Sequence, residues 1–491
     1  MTKEKRGEGV YNVVVIGAGT AGLVTAAGTA GLGGRVALIE RNLMGGDCLN
    51  FGCVPSKALI SSARLIQQIR ESEKWGLDRQ PPQFAFEKVF ERMRARRSKI
   101  APNDSQERFE SLGVDVFRGE AHFVSPHEVE VDGQKLRAKN FVIATGSRAV
   151  IPKIEGIEGV PYFTNETIFD ELKHKPESMI VLGGGPIGCE LGQALHRLGV
   201  KITIIEYVPQ ILPPEDVDVG EFMQKRLEAE GIIIQHCTEA KRVSIRDGVI
   251  TLEGDYIPSG ATQGSPVQFT ANALLLATGR CPMMKALNLE AAGVKYTSNG
   301  VEVNDYLQTS QPHIYAAGDI ANRLKFTHTA DFTARVVVRN ILMPLQFLRQ
   351  KVNCAIVPWC TYTDPEVAHV GLGEKEAKEK NIHYDLFVVP LVDVDRAVVE
   401  SEDAGFAKIL TAKGSDKILG ATIVAPHAGD LLHEFVLAMN AKIGLGRIAS
   451  MIHAYPTFAE LARKAGNKYN KTRLTPRAKK IFTWLYKRVR K

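Results

Sequence analysis

Cys48 and Cys53 stand with four residues between them, behind the glycine pair Gly45-Gly46 and about one helical turn before Lys57. Thiols at that spacing on a sharply bent backbone can close into a disulfide and reopen from it. For such a disulfide to carry electrons, one sulfur must lie against a redox carrier such as a flavin, and the other must reach solvent and substrate. Cys53 is the candidate for the first role and Cys48 for the second. Lys57 supplies a fixed positive charge where a thiolate or a reduced carrier develops negative charge. Read alone, the same cysteines could be half of a zinc site or two small buried apolar residues. A structural zinc takes about four ligands, and no second cysteine pair or paired histidines recur at ligand spacing. No structural metal is expected; Cys48 and Cys53 could hold a soft metal ion transiently as substrate.

The elements that must position this segment begin before it. Val13-Val14-Val15-Ile16 reads as a buried strand, and Gly17-Ala18-Gly19-Thr20-Ala21-Gly22 follows it and opens an Ala-rich helix. The first glycine permits the tight turn, the second lets the backbone approach a pyrophosphate, and the third lets helix and strand pack closely. The next strand, Arg35 to Glu40, ends in an acid suited to a ribose hydroxyl. Residues 12–34 carry no charge, yet seven of them are glycines and the apolar run is short, so the stretch is a strand and a phosphate loop rather than a signal peptide or membrane span.

The same signature recurs at Met179–Leu182, Gly183-Gly184-Gly185-Pro186-Ile187-Gly188, and a strand from Lys201 to Glu206. Two dinucleotide sites imply two cofactors, as hydride transfer from a nicotinamide to a flavin requires. A carboxylate at Glu206 accepts from a free ribose 2′-hydroxyl and repels a 2′-phosphate, and no Arg or Lys occurs over 207–216 to bind one, so NADH is expected rather than NADPH. Residues 58–72 and 86–112 read as amphipathic helices with solvated basic faces, and short strands follow over 114–131.

Taken together, these motifs in this order resemble the pyridine-nucleotide disulfide oxidoreductases, in particular a mercuric-reductase-like branch, from Val13 to about Arg463. The resemblance implies an α/β fold: two Rossmann-like dinucleotide-binding domains, for FAD and NAD, and a C-terminal α+β dimerisation domain. The expected segments are 1–155 (FAD, with the redox disulfide), 156–282 (NAD), 283–350 (FAD, second part), 351–465 (interface) and a basic tail over 466–491. It also implies an ion pair between Lys57 and Glu190 beside the flavin. For FAD it points to Gly17, Gly19, Thr20, Ala21, Gly22, Glu40, Gly46, Asp47, Cys48 and Lys57, to the turn Ala144-Thr145-Gly146, to Asp319 in Ile314–Asp319, and to Thr327, His328 and Ala330 at a helix start. For NAD it points to Gly183, Gly185, Ile187, Gly188, Glu206 and Gly279. A homodimer follows, in which each active site borrows residues from the partner.

The borrowed stretch is His453-Ala454-Tyr455-Pro456-Thr457-Phe458-Ala459-Glu460. Dithiol-using members carry a second His at position 455, oriented by the Glu, as acid–base catalyst. A phenol with an unperturbed pKa of roughly 10 is a poor base near neutrality. Mercuric reductases carry Tyr there, and 327–330 and 359–366 also resemble that branch, although the vicinal C-terminal cysteines and the N-terminal metal-binding module that deliver Hg(II) are not found. His453 is a candidate helper. The expected activity is transfer of electrons from NADH through FAD and the Cys48–Cys53 disulfide to a thiophilic metal ion, with a dihydrolipoamide dehydrogenase or other dithiol reductase, and a flavin-direct quinone reductase, as alternatives.

Composition frames this reading. The 491 residues suggest about three domains. Seven scattered cysteines are no secreted disulfide framework and point to a reducing cytoplasm. Twelve Lys or Arg and no acid lie from Arg463 onward, leaving 50 basic and 55 acidic groups, net −5, before it. After Pro476, Ile481, Phe482, Trp484, Leu485 and Val489 can share a helical face ringed by cations, which suits peripheral contact with the inner face of a membrane, docking on the protein's own acidic body, or nonspecific contact with nucleic acid; no specific nucleic-acid partner is expected.

Overall fold

A computed structural model describes residues 9–321, 324–343 and 345–490. The fold is α/β. The chain divides into two compact units, one of residues 1–63, 83–209 and 232–353, the other of residues 64–82, 210–231 and 354–491. This division crosses the expected segments, since 64–82 and 210–231 group with the C-terminal region.

The first unit contains two parallel-sheet layers. In one, Val114–Arg118, Val36–Glu40, Val10–Ile16 and Gln134–Ile143 run parallel in that order, and Ile314–Ala316 returns to pair parallel with Gln134–Ile143. The runs rich in Val and Ile are buried on both faces, as expected of parallel strands covered by helices. In the other, Ile233–Gln235, Lys201–Ile205, Ser178–Leu182 and Ala273–Leu276 form a parallel sheet. An antiparallel meander of Thr238–Arg246, Val249–Tyr256 and Ser265–Ala271 accompanies it.

The redox segment forms two helices, Gly46–Asn50 and Cys53–Arg70, with Cys53 in the first turn of the second. The helix expected over 86–112 is interrupted. Phe86–Ile100 is helical, Ala101–Asp104 tightens into a 3₁₀ turn around Pro102, and a new helix, Gln106–Ser111, starts after Ser105, whose side chain accepts from Arg108 N. Proline lacks the N–H that a continuous helix would use, and a serine cap restarts the ladder.

In the second unit, Pro358–Thr361, Glu366–Gly371, Ile418–Ala425, Phe406–Ala412 and Tyr384–Pro390 form an antiparallel sheet in that order. Its core includes Val370, Val389, Ile409, Ile423 and Phe435. Lys408 is 1% exposed, with Nζ 3.0 Å from Asp216, 2.8 Å from Asp218 and 2.7 Å from Glu374. Asp216 also accepts from the N–H groups of Glu374 and Lys375. A buried ammonium needs this many acceptors, which ties 210–231 to the sheet.

Candidate active site

The two glycine-rich loops of the first unit repeat the same close approaches. Gly17 and Gly183 have φ of +104° and +111°, and a Cβ on either would meet the carbonyl oxygen of Ala144 at 2.5 Å or of Ala277 at 2.4 Å. A Cβ on Gly22 would lie 1.7 Å from Gly17 O, and one on Gly188 1.9 Å from Gly183 O. Only glycine fits these four positions. Glu40 accepts from Ala18 N and Asn42 N, each at 2.7 Å, while Glu206 accepts from Gly184 N at 2.6 Å and Val208 N at 3.0 Å. Each carboxylate is therefore fixed at the loop's edge with lone pairs left for a ribose.

A dinucleotide fits both loops. The helices Thr20–Gly31 and Pro186–Arg197 start at Gly19 and Gly185 without a side-chain cap or an acid in the first turn, which leaves helix N-termini suited to phosphate. Gly146, Gly185 and Gly279 have no protein atom near an added Cβ, so bare backbone opens onto free space there. Thr20, Ala21 and Ile187 lie in the first turns of these helices.

The dithiol segment is held against the first loop: a Cβ on Gly46 would lie 2.5 Å from Gly19 Cα. Lys57 Nζ is 2.7 Å from Glu190 Oε2, so the structure joins two residues 133 apart in sequence, one from each nucleotide-binding half. Cys53 Sγ is 3.4 Å from Thr327 Oγ1. Both cysteines are free thiols, Cys53 exposed and Cys48 half-buried. The open side of Cys53 adjoins Thr327, at the start of helix Thr327–Leu342 and on the side assigned to the flavin.

The two sulfurs share one proton. A hydrogen bond from Cys48 lowers the Cys53 pKa to about 6 against the opposing effect of burial, with Thr327 and Lys57 also lowering it. The Cys48 thiol is pushed up, first by its hydrogen bond to Cys53 and then by burial. The direction of the two shifts favours negative charge on Cys53 and the proton on Cys48, the sulfur to which the sequence assigns the attack. Such an attack requires its proton to leave.

Asp47 and Asp319 are bridged by groups that sequence reasoning did not single out. Arg280 Nη2 is 3.2 Å from Asp47 Oδ1, and its Nε donates to Ser147 Oγ at 2.9 Å. Ser147 in turn donates to Asp319 Oδ2 at 2.5 Å. Burial raises the Asp319 pKa, and Ser147 and Arg280 oppose it. Arg280 and Ser147 follow Gly279 and Gly146 directly, so the repeated small-residue turns were the signal. Thr145 donates to Met283 O at 2.7 Å. Ala330 packs beside Gly318, and the His328 ring stacks on Phe326.

In the second unit, Tyr455 is 70% exposed and donates to Asp395 Oδ2 at 3.0 Å. That bond raises its pKa, so the phenol is a donor and no base. Glu460 is buried and pairs with Arg463, one helical turn on; its other oxygen, Oε2, is buried and has no hydrogen-bond partner among the described residues. The expected orienting carboxylate is therefore engaged within its own helix. His453 Nε2 lies 3.1 Å from Glu434 Oε1 and Nδ1 lies 3.3 Å from Met451 O. Asp395 and Glu434 had no local signal, being 60 and 19 residues from their partners.

Comparison with known proteins agrees with this geometry. The family profile described as pyridine nucleotide-disulphide oxidoreductase matches residues 11–334, and the profile for the dimerisation domain of that family matches 357–465. The mercuric reductase of Bacillus cereus is 34% identical over 451 residues, covering 92% of this chain and 70% of that protein. The dihydrolipoyl dehydrogenase of Bacillus subtilis (strain 168) is 32% identical over 471 residues, covering 93% and 97%. A solved Cu(II) complex of the HOCl-induced flavoprotein disulfide reductase RclA from Escherichia coli superposes with a TM-score of 0.83 at 25% identity, covering 94% of this chain and 99% of that one. The chain belongs to the pyridine nucleotide-disulphide oxidoreductase family, whose members use FAD and a nicotinamide nucleotide.

Proposed function

We propose that this enzyme takes hydride from NADH and delivers its electrons, through FAD and the Cys48–Cys53 disulfide, to a thiophilic metal ion such as Hg(II). The observation that supports this acceptor is the position held by Tyr455. A dithiol substrate needs a base there to move thiol protons, whereas Tyr455 is a donor bound to Asp395 and Glu460 is engaged by Arg463. Soft metals need only thiolates.

FAD, when bound, supplies a two-electron carrier between nicotinamide and disulfide. The Gly17–Gly22 loop and Glu40 would hold its dinucleotide, Asp319 with Ser147 and Arg280 would supply polar partners to it, and Thr327, His328 and Ala330 would contribute the helix start beside it. Gly183, Gly185, Gly188, Gly279 and Glu206 hold the nicotinamide nucleotide. One hydride brings two electrons and one proton, so opening the disulfide leaves one thiolate and one thiol. The shared proton assigns them: Cys53 is the thiolate, steadied by Lys57, and Cys48 keeps the proton. Binding Hg(II) displaces that proton, two electrons pass to the metal, and the disulfide closes. The sum, NADH plus Hg(II) giving NAD⁺, H⁺ and Hg(0), balances in charge and atoms.

The Glu206 carboxylate, with no cation over 207–216, supports NADH over NADPH. The dimerisation domain supports a homodimer in which Tyr455 of each protomer serves its partner, and seven free cysteines suit a reducing cytoplasm.

One observation favours a second reading. The His453–Glu434 pair is an imidazole held by a carboxylate two residues before Tyr455, and it would give a dithiol reductase the base that position 455 lacks. The test is anaerobic reduction by NADH, followed by Hg(II), lipoamide or a quinone added separately to wild type and Cys48→Ser. Reoxidation by Hg(II) that is lost in the variant supports the proposal. Reoxidation by lipoamide that is lost in His453→Asn supports the second reading. Reoxidation by quinone alone, kept in Cys48→Ser, refutes both.

A further inference from the structure

Residues after 465 lie outside both matched family profiles. Within them Pro476–Val489 forms a helix, capped by Thr475, whose Oγ1 accepts from Ala478 N. None of its residues is buried. Ala478, Ile481, Phe482, Leu485 and Val489, at i, i+3, i+4, i+7 and i+11, make one apolar stripe. Its four large members are 43–85% exposed. Trp484 borders the stripe on one side and Tyr486 on the other, while Lys479, Lys480 and Lys487 project from the opposite side. Arg488 lies 4.2 Å over the Trp484 ring.

We infer that this helix seats the enzyme on an anionic phospholipid surface, lying in the headgroup plane with the stripe inward. Each feature matches what such a surface offers. The stripe meets acyl chains, Trp and Tyr at its margins sit at headgroup level, and the cations meet lipid phosphate. At 1.5 Å per residue the helix is roughly 21 Å long, and no described helix is long and apolar enough to cross a membrane.

Charge decides against other occupants. Between Pro476 and Val489 there are five Lys or Arg and no acid; Arg477 and Arg488, at i−4 and i+7 from Ile481, flank the stripe, so a second copy packed on it would bring these cations together with no acid to pair them. A nucleic acid would take the cations but leave the apolar stripe in water.

The test is flotation of the full-length, FAD-loaded enzyme with vesicles of phosphatidylcholine alone and of phosphatidylcholine mixed with phosphatidylglycerol. Binding is expected only to the mixed vesicles and is weakened by molar salt, which shrinks the screening length to about 3 Å. Leu485→Glu should lower binding by about tenfold or more, with helix content and NADH oxidation unchanged because the site lies outside the catalytic groups. Trp484 fluorescence should shift blue on binding, and not in Leu485→Glu. Absence of flotation, equal flotation on neutral vesicles, or undiminished flotation of Leu485→Glu would overturn the inference. So would tighter binding to duplex DNA than to mixed vesicles, or a change of oligomeric state in Leu485→Glu without any lipid binding by wild type.

Discussion

Removing the Cys48 sulfhydryl should return Cys53 toward ordinary thiol behaviour, because the largest effect lowering the Cys53 pKa is the hydrogen bond that Cys48 donates. At a pKa of about 6, roughly nine in ten Cys53 side chains are thiolate at neutral pH; at an ordinary thiol pKa of roughly 8.5, only a few in a hundred would be. The full gap from the unperturbed 9.0 to about 6 corresponds to about 4 kcal/mol, which water at the exposed sulfur screens to about half. Cys48→Ala loses the donor outright. Cys48→Ser keeps an O–H that can take its place, so the two variants should separate.

The assay is the pH dependence of Cys53 alkylation by iodoacetamide in NADH-reduced protein, with peptide mapping to count each cysteine. In wild type, Cys53 should react first, and its rate should fall as pH drops through about 6. In Cys48→Ala the midpoint should move up by at least about one unit, and in Cys48→Ser by less. Lys57 and Thr327 still favour the thiolate in both variants, so the midpoint should stop short of an unperturbed thiol. First reaction at Cys48, or a Cys53 profile that is the same in Cys48→Ala and wild type, would refute the shared proton and the order of events built on it.

Lys57→Met should slow NADH-dependent reduction of the disulfide by about a hundredfold or more, read by stopped-flow absorbance, because it removes the cation beside both Cys53 and the mostly buried Glu190. Lys408→Met should destabilise the protein by about 3–5 kcal/mol, visible as a lowered unfolding temperature, since Asp216, Asp218 and Glu374 lose their shared ammonium. Glu215→Gln should stabilise at alkaline pH by up to about 3 kcal/mol. Burial pushes the Glu215 pKa up to about 7, with the Trp359 Nε1–H donor opposing it. Relative to a neutral side chain the native state therefore loses stability as pH rises from about 4.5 through about 7. The gain in denaturant midpoint should be present at pH 8 and absent at pH 4, and an equal gain at both would refute it.

What could be read from the sequence depended on whether the chemistry was local. The phosphate loops were legible because their glycines serve contacts within one strand–turn–helix: Gly22 against Gly17, Gly188 against Gly183. Lys57 and Glu190 could be joined only through the family resemblance, since no local pattern pairs residues 133 apart. Arg280 and Ser147 were in view but unassigned, because a turn residue shows no partner until the fold brings Asp47 and Asp319 to it. Lys408 reads as one more strand residue in Gly405–Leu410; two of its neutralising acids, Asp216 and Asp218, come from a helix start almost 200 residues earlier and the third, Glu374, from another helix start. The continuous helix over 86–112 was misjudged for a local reason, the competition of Pro102 and Ser105 with amphipathic spacing.

In the proposed reading the acceptor end is where this chain departs from a dithiol reductase, and the departure involves more than one residue. An imidazole at position 455 becomes a base only when a carboxylate fixes its tautomer and supports its positive charge. Glu460, the carboxylate that would do so, is paired with Arg463 and buried, while Asp395 is the acid that position 455 meets. His453, two residues before Tyr455, already has Glu434. Tyr455 with Asp395 and Glu460 with Arg463 thus form two separate pairs, with Glu460 held through one oxygen only. Such an arrangement suits a substrate that arrives as a cation and leaves as an atom, since the only proton it must displace is the one on Cys48, and metal binding removes that proton without a base.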